Sequence, residues 1–494
     1  MDQIHRDDPA EMERMRASAR ACAHRHAYHM MPPQGWMNDP NGFIFYQGQY
    51  HLFYQHYPYA PQWGLMHWGH CVSDDLIRWK PLPLALKPDH PYDENGCFSG
   101  SSLVHGGKLY VFYTGNAADG RQTQCLAVSA DGVHFEKYEN NPVIPSPPDF
   151  IKPNQFRDPC VFCRNNRYYM VAGAEGKDHH GQALVYVSDN LLDWAYLASI
   201  TTGQSPMGYM WECPNMIFVD DQAVLMLSPQ GMTDHPQFDN SGDTGFFVGH
   251  FDADTGAYTH GEFHKLDYGF DLYATQTTKD TSGRCLVTAW MSTWATPTPT
   301  KACQWAGSMI LPREMRFQNG KLTFHPVREL TRYLSPVTTV TDIACGRLHP
   351  LRGSVCRLEL LAQNADFAIR LFCSPDGTEY TALSYSAQQR TLSLDLSRSG
   401  EDARGTRSVA LSDATEPVRL DLYLDRSSLE VFIGEGEQVM SARVFPHQAS
   451  DGIQFFGDAM LTRLSLWKIN IPEESAAFLL SGHSQSNCNA VTPV

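Results

Sequence analysis

The sequence lacks the features that mark membrane-spanning, exported and nucleic-acid-binding proteins. It has no run of about 18 consecutive apolar residues, so no membrane span is expected. The first 25 residues are charged throughout and contain no apolar core of a signal peptide. Basic residues number 38 against 54 acidic ones, and the net charge of −16 argues against binding to nucleic acid or an anionic membrane. We therefore expect a cytoplasmic protein that acts on a small neutral molecule.

Motifs for cofactors and metals are also missing. No glycine-rich phosphate loop is present. Cys160 and Cys163 have C-x-x-C spacing, but no second pair accompanies them, and residues three apart on a strand face opposite sides. The same objection applies to His67 and His70. The 13 cysteines, many within apolar runs, suggest reduced core thiols. The sequence predicts neither a cofactor nor a metal site.

A chain of 494 residues is long enough for two or three domains. Residues 1–30 are predicted to form a short helical segment, capped by Asp8 with Pro9 at its first position. Its apolar positions share one helical face: Met12, Met15, Ala19 and Cys22. At the other end, residues 481–494 are polar and predicted to be a frayed tail.

Residues 31–335 repeat a unit of strand, polar turn and strongly apolar second strand. The second strands begin 59, 59, 55 and 62 residues apart, and they lie at residues 50–54, 109–113, 168–171, 223–227 and 285–290. Five all-β units of this length predict a five-bladed β-propeller. The alternative is a chance succession of hairpins within a sandwich.

The pattern changes in residues 345–470. Short segments such as 419–424 and 429–433 alternate apolar and polar residues, and turns rich in Gly, Ser and Asp separate them. This alternation is typical of strands with one buried face, so the segment predicts a β-sandwich. The predicted fold class is thus all-β, a propeller followed by a sandwich.

Three of the five repeats carry an acid close to a proline at one equivalent position. Asp39, Asp158 and Glu212 lie 11, 10 and 11 residues before the second strands of their units. The matching places in the other units hold Ser99 and Tyr273-Ala274. Since the innermost strands of a propeller converge on its axis, we expect the three acids to meet there. Like charges in a low-dielectric cleft raise one another's pKa, as catalytic carboxyl pairs require.

The neighbours of Asp39 suggest its role. The segment Asn38–Gly42 is dense in turn formers, so a sharp bend is expected before a strand at 43–46. Asn38 and Ser99 can donate hydrogen bonds that keep Asp39 ionised, which suits a nucleophile. Trp36 offers a ring that can stack on a sugar face.

The other two acids have different surroundings in the sequence. Glu212 stands between Trp211 and Cys213, an apolar setting that would keep it protonated and suits a general acid. Asp158 follows Arg157, which can lower its pKa, so a permanent anion that grips sugar hydroxyls is expected.

These motifs resemble glycoside hydrolase family 32, the invertase or β-fructofuranosidase family. The likeness covers residues 31–470 and rests on segments 36–42, 98–101, 156–159, 211–214, 267–276, 305–307, 311–314 and 425–432. It implies retaining hydrolysis of a terminal β-fructofuranosyl bond, with carboxyl groups roughly 5–5.5 Å apart. Asp39 would be the nucleophile, Glu212 the acid and base, and Asp158 the stabiliser of the transition state. The implied fructose subsite comprises Asn38, Gln55, Trp63, Phe98, Ser99, Arg157, Tyr273 and Trp290.

The resemblance leaves the leaving group open. The segment 63–70 looks most like that of sucrose-hydrolysing relatives, which favours sucrose. Sucrose 6-phosphate would need a cation at the rim, for which Lys301, Arg121 and Lys177 are candidates. Short fructo-oligosaccharides, fructosyl transfer, an inverting propeller glycosidase and a non-catalytic sugar-binding propeller are further alternatives. A homo-oligomer is also left open.

Overall fold

The computed structural model describes residues 8–203, 207–232, 243–411 and 417–472. The predicted helix is confirmed as α1, Pro9–Ala21, where Asp8 caps the first turn by accepting a hydrogen bond from the Ala10 N–H at 2.9 Å. Met15 and Ala19 are buried beneath it. None of the helices within these ranges is long and apolar enough to cross a membrane. The tail predicted at 481–494 lies outside the described residues.

Five antiparallel sheets follow one another along the chain, as the repeat spacing predicts. The first sheet contains β1 Gly35–Tyr46, β2 Gln49–Tyr57, β3 His67–Ser73 and β4 Lys80–Leu86. The second contains β5 Cys97–His105, β6 Lys108–Asn116, β7 Gln122–Ser129 and β8 Glu136–Lys137. The third contains β9 Ile151–Arg164, β10 Arg167–Gly176, β11 Gly181–Ser188 and β12 Ala195–Ile200. The fourth contains β13 Met210–Val219, β14 Gln222–Gln230, β15 Gly245–Phe251, β16 Tyr258–His260 and β17 His264–Lys265. The fifth contains β18 Tyr273–Lys279, β19 Cys285–Trp290, β21 Arg313–Gln318 and β22 Lys321–Pro326.

The sheets are the blades of a five-bladed propeller. The first strand of each blade contacts the first strand of the next, and β18 of the fifth blade contacts β1 of the first. Strand β20, Trp305–Ala306, then pairs in parallel with the start of β1 and ties the end of the ring to its beginning. The second strands are buried on both faces between neighbouring blades, which explains their continuous apolar runs.

The polar turns after the third strands also repeat. Asp75, Asp131 and Asn190 each accept two backbone N–H bonds through one side-chain oxygen, as in an Asx turn. In the first and third blades a tryptophan follows, Trp79 or Trp194, and its indole donates 3.1 Å to a carbonyl within the same turn. These turns fix the outer edge of the first three blades.

Residues after the propeller form two packed sheets, the predicted sandwich. One sheet contains β23 Leu334–Val340, β35 Met460–Ile469, β26 Cys356–Ala362, β31 Val418–Asp425, β32 Ser428–Ile433 and β33 Gln438–Arg443, with β24 Ile343–Ala344 paired to β35. The other contains β25 Leu351–Arg352, β34 Gly452–Gly457, β27 Phe367–Cys373, β28 Thr381–Ser386, β29 Thr391–Asp395 and β30 Thr406–Ala410. Short 3₁₀ helices occupy Pro299–Cys303, Arg328–Tyr333 and Cys345–Arg347. Strand β26 alternates buried and half-buried residues, as a one-sided strand does.

A buried charge network joins the two domains. The His29 ring lies between Asp425 of β31 and Glu430 of β32, with Nδ1 2.8 Å from Asp425 Oδ2 and Nε2 3.0 Å from Glu430 Oε1. Arg313 of β21 also pairs with Glu430, at 2.6 Å from Nη2 to Oε2. All four side chains are fully buried. The motif residues Arg313, Asp425 and Glu430 therefore hold the sandwich to the propeller.

Candidate active site

The three predicted acids lie on the innermost strands of three blades, each at a β-bulge. The pairing of β1 with β2 shifts between Met37 and Pro40, that of β9 shifts around Asp158, and that of β13 shifts between Glu212 and Asn215. The other two inner strands shift at the matching places, beside Ser99 and Ala274. Proline has no backbone N–H to donate to the neighbouring strand, and a bulge changes the direction in which side chains point. The acid-proline pattern that three of the units share therefore marks this bulge.

The first of these bulges corrects the expectation for Asn38–Gly42. The segment is not a bend that precedes a strand at 43–46; it lies within β1, which runs from Gly35 to Tyr46. The turn-forming residues instead accommodate two register shifts inside the strand. Gly42 has φ of +50°, and a Cβ there would lie 2.8 Å from the Phe53 ring, so glycine fits this position.

The acids line one cavity of about 220 Å³ on the propeller axis. Its lining residues are Asn38, Asp39, Gln55, Trp63, Phe98, Ser99, Arg157, Asp158, Glu212, Gln230 and Trp294. Two residues implied by the resemblance lie behind this surface. Tyr273 is buried, and its hydroxyl donates a hydrogen bond to Glu212 Oε2. Trp290 is buried and packs edge-on against Trp294, with ring centroids 5.2 Å apart.

Asp39 is buried and has the expected donors. Ser99 Oγ donates to its Oδ2 at 2.7 Å, and Asn38 Nδ2 donates to its Oδ1 at 3.0 Å. The Cys213 thiol lies 3.4 Å from Oδ2. Burial nevertheless raises the pKa of Asp39, and the nearby charge of Glu212 raises it further, while the three donors oppose the change. The donors thus favour the anion in a place where desolvation disfavours it.

The setting expected for Glu212 is wrong. Its carboxylate accepts from Arg157 Nη2 at 2.8 Å, from Gln230 Nε2 at 2.7 Å and from the Tyr273 hydroxyl. The indole of Trp211 points elsewhere and donates to a backbone carbonyl at 2.8 Å. Successive residues on a strand face opposite sides, so sequence neighbours do not define this environment. Glu212 is held by polar groups from three other strands.

The expectation that Arg157 keeps the pKa of Asp158 low is also wrong. Complete burial raises the pKa of Asp158 to about 7. The Arg157 charge does lower it, as expected, but not by enough, because the charges of Glu212 and Asp39 raise it further. Arg157 Nε is 4.0 Å from Asp158 Oδ2, whereas its fork points at Glu212. The best partner of Asp158 is the Cys213 backbone N–H at 2.9 Å. Asp158 itself has φ of +63°, a strained conformation for a non-glycine residue.

Aromatic rings form the mouth of the cavity. Trp63 and Trp294 are about half exposed, at 51% and 48%, and Phe98 packs edge-on against Trp63. Trp36 stacks on Trp294 with centroids 6.2 Å apart, and Lys301 Nζ lies 5.4 Å from the Trp36 ring. Such surfaces bind the apolar faces of sugars. Three carboxyl groups beneath an aromatic mouth can protonate, attack and hold a neutral carbohydrate.

Sequence comparison agrees with this chemistry. The profile of the glycosyl hydrolases family 32 N-terminal domain matches residues 29–326, and that of the family's C-terminal domain matches residues 338–468. The chain belongs to glycosyl hydrolase family 32. The family and the enzyme class predicted from the motifs, a glycosidase of the β-fructofuranosidase type, are thereby confirmed.

Individual relatives align over most of their length. The sucrose-6-phosphate hydrolase of Zymomonas mobilis is 37% identical, with 86% of this chain and 87% of the relative covered. The raffinose invertase of Escherichia coli is also 37% identical, with 90% and 94% covered. Among solved structures, sucrose-6-phosphate hydrolase from Lactobacillus gasseri superposes with a TM-score of 0.88 at 30% identity, covering 94% and 96%. The family 32 β-fructofuranosidase of Bombyx mori gives 0.81 at 32%, covering 93% and 97%.

Sequence reasoning missed Gln230 and the lining role of Trp294. Gln230 ends β14 and pairs with Met210, two residues before Glu212, so the strand register carried the signal. Trp294 lies in a loop whose placement no periodicity indicates.

Two groups of side chains in the described ranges have the spacing of metal ligands, but both are engaged otherwise. His26, His29 and Asp425 belong to the domain interface, where Asp425 pairs with His29. The second group consists of Asp89, His90 and Asp93. There the Lys137 ammonium lies within 2.6 Å of both aspartates, in the position that a bound cation would take.

Proposed function

We propose that this protein is a retaining β-fructofuranosidase that hydrolyses sucrose to glucose and fructose. The observation that carries the proposal is the meeting of Asp39, Asp158 and Glu212 in one buried cavity under an aromatic mouth. Two carboxyl groups suffice for glycoside hydrolysis, one as nucleophile and one as acid and base. The third is left to hold the sugar.

In the proposed mechanism Asp39 attacks the anomeric carbon of the fructosyl unit while Glu212 protonates the departing glycosidic oxygen. The carbon–oxygen bond to glucose breaks as the ester bond to Asp39 forms. Glu212, now ionised, takes a proton from water, and the resulting hydroxide displaces Asp39 with overall retention. Ser99 and Asn38 orient the nucleophile through the hydrogen bonds described above.

The remaining contacts fit supporting roles. Arg157, Gln230 and Tyr273 fix the Glu212 carboxylate from three directions. A group held at both oxygens loses little orientational freedom, so it reaches the glycosidic oxygen in one geometry. Asp158 is buried in the wall of the same cavity, and in this proposal it accepts hydrogen bonds from fructose hydroxyls.

Asp39→Asn and Glu212→Gln test the proposal. Each is expected to lower kcat on sucrose by at least about 10³-fold, because each removes an acid that takes part in bond making or proton transfer. Asp189→Asn is the matched control, since it changes an exposed carboxylate in a turn of the third blade. Near-normal turnover in either site variant would contradict the assigned roles. Release of the inverted anomer, followed by NMR, would establish the inverting alternative.

Sucrose 6-phosphate is a second candidate substrate because of Lys301. Its ammonium lies over Trp36, beside the mouth, and it has no carboxylate partner among the described residues. Arg121, by contrast, is paired with Asp119 at 2.6 Å. Relatives that carry the name sucrose-6-phosphate hydrolase support the same candidate.

Lys301→Met separates the two substrates. If the lysine binds phosphate, KM for sucrose 6-phosphate rises about tenfold or more while KM for sucrose stays unchanged. A loss of the same size on both substrates would show that Lys301 acts by supporting Trp36. Product analysis at high sucrose measures fructosyl transfer, and raffinose and inulin complete the comparison.

A further inference from the structure

A second cavity, of about 330 Å³, lies between α1 and the first blade. It is larger than the candidate active site and shares no lining residue with it. Its walls come from α1, from the segment before β1, and from strands β2, β3 and β4. A volume of this size is in the range of small-molecule sites.

The charge of this cavity is opposite to that of the protein. The net charge of the chain is −16, yet no aspartate or glutamate lines the cavity, and Arg16 and Lys87 do. Arg16 Nε donates to Gln34 Oε1 at 3.2 Å, while Nη1 is 3.7 Å from the exposed Glu13. Lys87 has no carboxylate partner in the part of the chain that the structure describes. Two exposed cations at the entrance favour an anionic ligand.

Two buried polar groups in the wall have hydrogen-bonding capacity to spare. Tyr54 is 2% exposed, and its hydroxyl forms no hydrogen bond with the described residues. His56 uses Nδ1 on the Trp36 carbonyl at 2.8 Å, so Nδ1 carries the proton and Nε2 is a free acceptor. Burial lowers the pKa of His56 to about 4, which keeps this tautomer neutral near pH 7. A hydroxyl and an acceptor nitrogen match the hydroxyls of a polyol.

We propose that this cavity binds a phosphorylated sugar. The Arg16 and Lys87 side chains would hold the phosphate at the entrance, and Tyr54 and His56 would bond the sugar hydroxyls within. Proline rings in the wall, Pro58 and Pro81 among them, offer flat apolar surface to the sugar carbons. The inference does not rest on the proposed reaction, because the residues involved are separate.

The cavity is also connected to the candidate active site. His56 holds the carbonyl of Trp36, and the Trp36 indole donates to Asn38 Oδ1 at 2.7 Å. Asn38 in turn donates to Asp39. A ligand that bonds His56 therefore contacts the first member of a chain that ends at the proposed nucleophile.

Calorimetric titration with glucose 6-phosphate tests the proposal, with inorganic phosphate and glucose as companion probes. The double variant Arg16→Gln/Lys87→Gln is expected to weaken binding of glucose 6-phosphate about tenfold or more. Tyr54→Phe, which removes one hydroxyl, should weaken it severalfold without affecting inorganic phosphate. Glucose should bind far more weakly than its phosphate.

The matched control is Arg14→Gln/Lys108→Gln, which removes the same charge from exposed positions elsewhere. Equal affinity in this control and in wild type is expected. Three outcomes would overturn the proposal: the Arg16/Lys87 variant binds as tightly as wild type, both double variants lose the same affinity, or wild type shows no binding of glucose 6-phosphate at about 10 mM. Sucrose kinetics in the Arg16/Lys87 variant, without ligand, should be unchanged, so failure here is separable from failure of the proposed reaction.

Discussion

Raising the pH should loosen the domain interface, because His29 must be protonated to satisfy both of its partners. Its two ring nitrogens lie 2.8 and 3.0 Å from carboxylate oxygens of Asp425 and Glu430, and carboxylates only accept. The ring therefore donates at both nitrogens and carries a positive charge. Burial opposes that charge, but the hydrogen bonds and charges of the two carboxylates exceed the opposition and raise the pKa of His29 to about 9.

The magnitude follows from linkage. The folded pKa is about 9 and the unfolded value is 6.5, which corresponds to about 3 kcal/mol at 1.36 kcal/mol per pKa unit. The folded pKa is the higher of the two. The contribution is therefore complete below pH 6.5, declines as the pH rises, and is lost above about pH 9. The pKa of Asp425 is lowered by the same interaction with His29, so it adds no further free energy to this contribution.

His29→Gln isolates the effect. A glutamine amide is neutral and satisfies only one carboxylate well, so the variant should be less stable by about 3 kcal/mol at pH 6.5 and close to wild type at pH 10. Urea unfolding followed by tryptophan fluorescence across this range measures the difference. His134→Gln is the control, since that ring is exposed beside a single aspartate, and its stability should remain near wild type. A wild-type-to-variant difference that does not change with pH would refute the reasoning.

Two further predictions concern the hydrogen bonds of the candidate site. Ser99→Ala removes the hydroxyl that donates to Asp39 at 2.7 Å, so the pKa of Asp39 should rise. The acid limb of the pH profile of kcat/KM on sucrose should then move up by about one pH unit. An acid limb that does not move would mean that the ionisation of Asp39 does not determine it. Tyr273→Phe removes the hydroxyl that donates to Glu212, and it should lower kcat by about 10- to 100-fold. Circular dichroism would check that the fold is intact. An unchanged kcat would mean that Tyr273 serves only in packing.

The architecture could be predicted because each blade repeats one buried strand. Strands covered on both faces by neighbouring blades must be apolar throughout. These apolar runs made the spacing of the repeats visible in the sequence. The same alignment placed Asp39, Ser99, Asp158, Glu212 and Ala274 at equivalent points, and all five inner strands have a bulge there. The division into residues 31–335 and 345–470, the cytoplasmic location and the oligomeric state stay predictions.

The chemical environments of Glu212 and Asp158 could not be predicted from their neighbours in sequence. Two of the groups that hold Glu212, Arg157 and Tyr273, come from β9 and β18 of the neighbouring blades, 55 and 61 residues away in the chain, and they meet Glu212 only when the blades pack. The third, Gln230, comes from β14 of the same blade. Likewise, Arg157 directly precedes Asp158 in the sequence but points past it to Glu212, because adjacent strand residues diverge. Periodicity locates a residue on a blade, whereas its partners depend on the packing of several blades.

The charges in the cavity bear on the substrate question. Its lining holds three carboxyl groups and one guanidinium, and that guanidinium is committed to Glu212 at 2.8 Å. A buried anionic surround stabilises the positive charge that develops on the fructosyl carbon in the transition state. The same surround repels a phosphate, since desolvated like charges interact strongly. A phosphorylated glucose unit must therefore keep its phosphate outside the cavity, beyond the Trp36–Trp294 stack, where Lys301 lies. On this argument the rim lysine, and none of the three acids, decides whether sucrose 6-phosphate is accepted.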